Sequence, residues 1–161
     1  MNHPRLFFAA PALACAALLG YGYFLQYFDG QDPCPLCLVQ RGFFYLILFI
    51  FAVAALHGPM RRGSIAYCIA ATIAALGGLG VAARHVWLQH LPADQVPACG
   101  PDLFYMAENL PFGRMLEKLL MGSGQCAEVH WKFLGLSIAE WSLAWFAALA
   151  CYALWLGARR R

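Results

Sequence analysis

The sequence predicts an all-α membrane protein, a bundle of four transmembrane helices. Three observations carry that expectation. First, 62% of the residues are hydrophobic and only 12% charged, with mean hydropathy +0.61. Soluble domains carry about 25% charged residues. Second, four apolar runs reach the length of about 20 residues needed to cross the hydrocarbon of a bilayer: Leu6–Phe28, Leu38–Leu56, Ile65–Ala83 and Leu136–Leu156. Third, with four spans, Arg5, the pair Arg61-Arg62 and the tail Arg159-Arg160-Arg161 fall on one side. The acids Asp29, Asp32, Asp94, Asp102, Glu108, Glu117 and Glu128 fall on the other. Basic residues near span ends stay in the cytoplasm, so both termini are expected there. A chain of 161 residues makes a single membrane domain, 1–161. The net charge of +3, split by position, excludes a nucleic-acid surface.

The first run contains Ala12-Leu13-Ala14-Cys15, which hints at a lipoprotein cleavage site. The third position before the cysteine is not Leu, and the apolar run continues well past Cys15. A retained span is therefore expected rather than a cleaved signal. The first outer loop, 29–37, ends in Cys34-Pro35-Leu36-Cys37. Cys34 precedes a proline and is disfavoured in α geometry, so the second helix should start at Pro35. Cys37 then sits in the first turn, where N–H groups and the helix dipole favour a thiolate. Arg41 follows on the same face one turn deeper. An arginine just inside a span is costly and reads as functional. It would stabilise a Cys37 thiolate and meet a carbonyl oxygen of a membrane electron acceptor; snorkelling to headgroups is the plainer alternative.

Within the third span, Gly77-Gly78-Leu79-Gly80 is expected to serve close helix packing. The second outer loop, 85–135, is too long for a mere connection. Pro92, Pro97, Gly100, Pro101 and Pro111 break it up. Phe112, Met115, Leu116, Leu119 and Leu120 recur at helical spacing, opposite Arg114, Glu117 and Lys118. They predict a short amphipathic helix, starting after Pro111 and ended by Gly122-Ser123-Gly124, that lies on the outer leaflet or packs on the bundle. Cys99 and Cys126 flank it and can bridge if the loop folds back. Ser137-Ile138-Ala139-Glu140 has capping-box form and should start the last helix. Cys15, Cys68 and Cys151 lie within spans and are expected to pack as small apolar residues. Trp141, Trp145 and Trp155 read as belt or core aromatics.

Seven cysteines suggest an oxidising face, and the odd number leaves at least one thiol free or paired outside the chain. Charge bias places Cys34, Cys37, Cys99 and Cys126 together on the outer side. Two dithiols that can reach each other pass two electrons by thiol–disulfide exchange. Each pair taken alone also reads as a static disulfide.

The combination resembles the DsbB family of bacterial disulfide-bond formation proteins. It rests on four spans, Cys-Pro-Leu-Cys with Arg41 at the second span, and the loop from Cys99 to Cys126. Cys126-Ala127-Glu128, Trp131 and Phe133-Leu134-Gly135-Leu136 add to it, and the resemblance covers nearly the whole chain. It implies a bacterial inner-membrane oxidase that re-oxidises a periplasmic DsbA-type thioredoxin-fold protein and reduces ubiquinone, or menaquinone. By the same resemblance Cys99 forms the mixed disulfide with that partner. Cys126 pairs with Cys99 and relays to Cys34, and Cys37 faces the quinone. Arg41 assists there, and His85 lies in the quinone region; His90 is close by, and spacing alone does not choose between them. Two readings from other classes remain. A metal-binding membrane protein would use Cys34, Cys37, Cys99, Cys126 and the outer histidines for zinc or copper. A structural membrane protein would hold two inert disulfides. A reductase of the vitamin-K-epoxide type would carry its Cys-x-x-Cys on a late span.

Overall fold

Four long helices dominate the computed structural model, which describes residues 4–30, 33–92, 95–96, 105, 108–122, 124–129 and 131–159. They are α1 (Pro4–Phe28), α2 (Pro35–His57), α3 (Arg61–Gln89) and α6 (Ile138–Arg159). All four are long and apolar enough to cross a membrane. The shortest, α6, has 22 residues, about 33 Å at 1.5 Å per residue. Between α3 and α6 lie α4 (Phe112–Met121), the single turn α5 (Gly124–Ala127), and a hairpin of β1 (Lys132–Phe133) and β2 (Leu136–Ser137).

α1 packs on α2, α2 on α3, and α3 on α6. Small residues on α3 allow the close approach. Ala71, Ala74, Ala75, Gly78 and Ala82 are all buried. A Cβ on Gly77 would stand 2.7 Å from the Phe43 ring, and one on Gly78 would run into Phe146. Phe146 is fully buried and stacks on Phe44 with ring centroids 4.2 Å apart. The bundle is closed at the arginine end by α1 and α6. There the Tyr152 hydroxyl donates to the Phe7 carbonyl at 2.8 Å, and the Phe7 and Trp155 rings meet edge to face.

The helix starts follow local chemistry. Cys34 caps α2 in extended geometry, Pro35 opens it, and Gly58 ends it with φ +58°. Ser137 and Glu140 form a reciprocal box: the Ser137 N–H donates to Glu140 Oε2 at 2.7 Å, and the Glu140 N–H donates to Ser137 Oγ at 3.3 Å. The last helix therefore begins at Ile138. Phe133 to Leu136 form the hairpin instead of entering the span, with positive φ at both Leu134 and Gly135 as a two-residue turn requires.

One boundary differs materially from the sequence expectation. α3 does not stop near Ala83; it runs to Gln89. Arg84 does not end it, because its guanidinium lies over the Trp87 ring at 4.2 Å and donates to the Met121 carbonyl at 3.2 Å. His85 is therefore a helix residue, not the first residue of a loop. Among the mid-span cysteines, Cys15 and Cys68 are buried as expected. Cys151 is exposed and faces away from the bundle.

Candidate functional site

The N-terminus of α2, the last turns of α3 and the α5 turn converge on one cluster. Pro35 forces Cys34 out of helical geometry, and its sulfur then folds back to accept the Cys37 N–H at 3.4 Å. The donor at the helix start thus serves Cys34, whereas the sequence had pointed to Cys37. The two sulfurs lie 3.0 Å apart. Cys34 is buried and Cys37 half-buried, and both line the wall of one cleft. A hydrogen bond with the Cys126 side chain pulls the Cys34 pKa down. The bond to Cys37, burial and the neighbouring Cys37 charge outweigh it, so the Cys34 pKa is raised overall.

His85 joins the loops. Its Nε2 lies 3.1 Å from the Cys126 carbonyl oxygen and 3.7 Å from Cys34 Sγ, and its Nδ1 lies 3.0 Å from Gln40 Nε2. His85 and Gln40 are each 3% exposed. His90, the alternative that spacing left open, is exposed and bonds back to the Val86 carbonyl of its own helix.

The cleft beside Cys37 encloses about 510 Å³. Leu18, Tyr21 and Leu25 of α1 line one side, and Trp141 and Trp145 of α6 the other. Arg41 also lines it. The guanidinium is held by α1: Nη1 donates to Gln26 Oε1 at 2.6 Å, Nη2 donates to the Gly22 carbonyl at 3.0 Å, and the group lies 4.8 Å from the Tyr23 ring centroid. A Cβ on Gly22 would stand in ordinary contact with the guanidinium, at 3.6 Å.

Cys34, Cys37, Cys126 and His85 are thus brought together, with Arg41 in the adjoining cleft. Cys99 lies outside the described residues, as do Pro97 and Pro101 beside it. Gln40, Gln26 and Gln89 were not singled out from sequence. The available signal was their amides in or at the end of apolar helices, where an unbonded polar group is costly.

Cys34, Cys37 and His85 also offer three donor atoms within 4.8 Å of one another. The Cys126 carbonyl can only accept, so the His85 nitrogen facing it carries the proton. A metal ligand must present a lone pair. As arranged, the group is a hydrogen-bonded dithiol.

The family model for "Disulfide bond formation protein DsbB" matches residues 4–156. Curated relatives carry the name Disulfide bond formation protein B. One from Hahella chejuensis is 51% identical over 134 residues, 83% of this chain and 81% of that protein. One from Methylococcus capsulatus is 44% identical over 158 residues, 97% of this chain and 96% of that protein. One from Chromohalobacter salexigens is 50% identical over 138 residues, 85% and 80% of the two chains. With four apolar helices, a cysteine pair at the head of the second and a match over almost its full length, the chain belongs to the DsbB family of disulfide bond formation proteins, as a multi-pass membrane protein that generates disulfides.

Proposed function

We propose that this chain is a quinone-dependent disulfide oxidase of the bacterial inner membrane. It re-oxidises a periplasmic DsbA-type dithiol protein and passes the electrons through two cysteine pairs to membrane quinone. Both termini and the Arg61-Arg62 loop face the cytoplasm, and the cysteine end faces the periplasm. The observation that carries this reading is the Cys34–Cys37 pair on the wall of an apolar cleft, with the Cys126 side chain hydrogen-bonded to Cys34 behind it.

The cleft suits a quinone. Its walls are apolar and aromatic, and its cation is Arg41. The guanidinium has five N–H donors, of which Gln26 and Gly22 occupy two among the described residues. The rest can meet a carbonyl oxygen. A bound quinone supplies a two-electron, two-proton sink.

The chain's own residues do the following. The partner's thiolate attacks Cys99 of a Cys99–Cys126 disulfide, which releases Cys126 as thiolate. Cys126 attacks Cys34 of the Cys34–Cys37 disulfide. The Cys126–Cys34 bond forms, the Cys34–Cys37 bond breaks, and the electron pair leaves on Cys37. The partner's second cysteine resolves the mixed disulfide and frees Cys99. Cys99 then attacks Cys126, restoring the first disulfide and releasing Cys34. A quinone held in the cleft would take the two electrons of the Cys34–Cys37 dithiol, with Cys37 on the cleft wall and Arg41 in place to orient a carbonyl oxygen. The net change is one dithiol and one quinone converted to one disulfide and one quinol.

The test is oxidation of a reduced DsbA-type protein by the purified full chain with ubiquinone. Stoichiometric loss of partner thiols and of quinone is expected, and Cys37→Ser should abolish both. No quinone-dependent thiol loss by the wild-type chain would overturn the proposal.

A further inference from the structure

Gln40 is a buried amide on the second helix for which the relay above has no role. It lies three residues past Cys37, and its Nε2 meets His85 Nδ1 at 3.0 Å. Its partner is constrained from the other side. His85 Nε2 faces a backbone carbonyl at 3.1 Å, and a carbonyl cannot donate. Nε2 must carry hydrogen, so in the neutral ring Nδ1 is a lone pair. The matching group on Gln40 is an N–H, in agreement with the atom placed there. The same Nε2–H lies 3.7 Å from Cys34 Sγ, within reach of a sulfur acceptor.

We propose that Gln40 is a positioning residue for disulfide exchange between the two loops. By donating to Nδ1 it fixes His85 as the Nε2–H tautomer. That single N–H then holds the Cys126 carbonyl and faces the Cys34 sulfur, which keeps Cys126 over the sulfur it must attack. The inference rests on the relay reading for the direction of exchange. In the forward step the Cys126–Cys34 bond forms as the Cys34–Cys37 bond breaks, and the electron pair goes to Cys37. When Cys99 later attacks Cys126, Cys34 leaves with the electron pair, and the His85 N–H at 3.7 Å joins the Cys37 backbone N–H at 3.4 Å as a donor facing that sulfur. A ring protonated on Nδ1 instead would turn a bare lone pair on the Cys126 carbonyl and on a charged sulfur, and both contacts would repel.

Two substitutions separate this from a packing role. Gln40→Met keeps length and bulk but removes the donor. Gln40→Glu keeps a hydrogen-bonding partner of nearly the same shape, but an ionised carboxylate only accepts and draws a proton onto Nδ1. Both are made in the full chain and read in two ways. The first is the ¹⁵N spectrum of histidine-labelled protein in detergent, with the His85 signals assigned by their loss in His85→Asn. Wild type should show Nε2–H alone, Gln40→Met a mixture, and Gln40→Glu a proton on Nδ1. The second is single exchange in a Cys99→Ser background, where Cys126 is a thiol beside the Cys34–Cys37 disulfide. Release of Cys37 to an alkylating reagent, followed by peptide mass spectrometry, reports attack of Cys126 on Cys34. Loss of one neutral hydrogen bond predicts slowing of about tenfold in Gln40→Met.

A wild-type ring protonated on Nδ1, or unchanged exchange in Gln40→Met, overturns the proposal. Lower thermal stability with the His85 tautomer unmoved does so as well, since it marks Gln40 as packing only. Neither readout involves quinone or a partner protein. Failure of the wild-type chain to oxidise a DsbA-type protein would therefore count against the relay and leave these measurements to be judged separately.

Discussion

Replacing Arg41 with Gln removes a positive charge that the structure both anchors and aims. Two of its donors tie α2 to α1 through Gln26 and the Gly22 carbonyl, and the group borders the cleft beside Cys37. The substitution has two separable consequences. Toward the proposed quinone acceptor it would remove a charge-assisted hydrogen bond, worth about 1.5–3 kcal/mol. At about 1.4 kcal/mol per decade, that is roughly ten- to a hundredfold in the rate constant for quinone. Toward the fold it leaves Gln26 Oε1 and the Gly22 carbonyl without their donor, at about 1–3 kcal/mol. Gln26→Met controls for the second effect, since it breaks one tether and keeps the charge. Stopped-flow mixing with quinone, and separately with reduced partner protein, resolves the two half-reactions, and thermal unfolding in detergent reads stability. The expected pattern for Arg41→Gln is slow quinone reduction with a nearly normal first exchange at Cys99. Gln26→Met should lose stability with a much smaller change at quinone. Unchanged quinone kinetics with a slowed partner step would refute the reasoning and assign Arg41 to structure or docking.

Three further outcomes follow from the packing and the thiol chemistry. Gly78→Ala should destabilise the bundle by about 1–3 kcal/mol, because the new methyl meets the immobile Phe146 ring. Gly80→Ala, where a Cβ meets nothing within 4 Å, should be neutral or stabilising by up to about 1 kcal/mol; thermal unfolding of the pair checks the difference in sign. Ser137→Ala removes the acceptor for the Glu140 N–H and the 2.7 Å bond to Gln89 Oε1. A loss of about 0.5–2 kcal/mol in unfolding free energy is expected. In the reduced protein, alkylation should mark Cys37 before Cys34 at neutral pH. The Cys34 pKa is raised, so its reactive thiolate appears only as pH climbs above the usual thiol range. Cys34 modified first at neutral pH, read by peptide mass spectrometry, would contradict the burial argument.

The four helices were legible because lipid imposes one rule on a whole span, and that rule survives in composition. Pro35 and the Ser137/Glu140 box marked two helix starts for local reasons that operate before any tertiary contact. The end of α3 was not legible. Arg84 reads as the limit of an apolar run, but its guanidinium stacks on Trp87 and bonds the Met121 carbonyl, and the helix continues past it. The same holds for the residues around the cysteines. Cys34 and Cys37 announce themselves by spacing, but nothing in their neighbourhood says that the capping N–H serves Cys34. Nor does sequence reveal that Gln40 and His85, 45 residues apart, share a hydrogen bond. Such pairings depend on how α2 and α3 are rotated against each other, and small-residue packing sets that rotation.

The extra length of α3 matters for the site. The segment carrying Cys126 has little structure of its own, a four-residue turn between α4 and a short hairpin. It is held from outside: Cys34 and Leu36 at the head of α2 pack against it, and four further holds come from the last turns of α3. Arg84 donates to the Met121 carbonyl, and Leu88 fills the space where a side chain on Gly122 would stand. His85 meets the Cys126 carbonyl, and Gln89 accepts from Ser137 at the far end of the hairpin. Residues 84, 85, 88 and 89 form one helical face, spaced by one, three and one. A helix ending at Ala83 would remove these four contacts, and loop entropy would weigh more on the encounters of Cys126 with Cys34. Extended to Gln89, the same helix presents Cys126 to the head of α2 on a rigid rail.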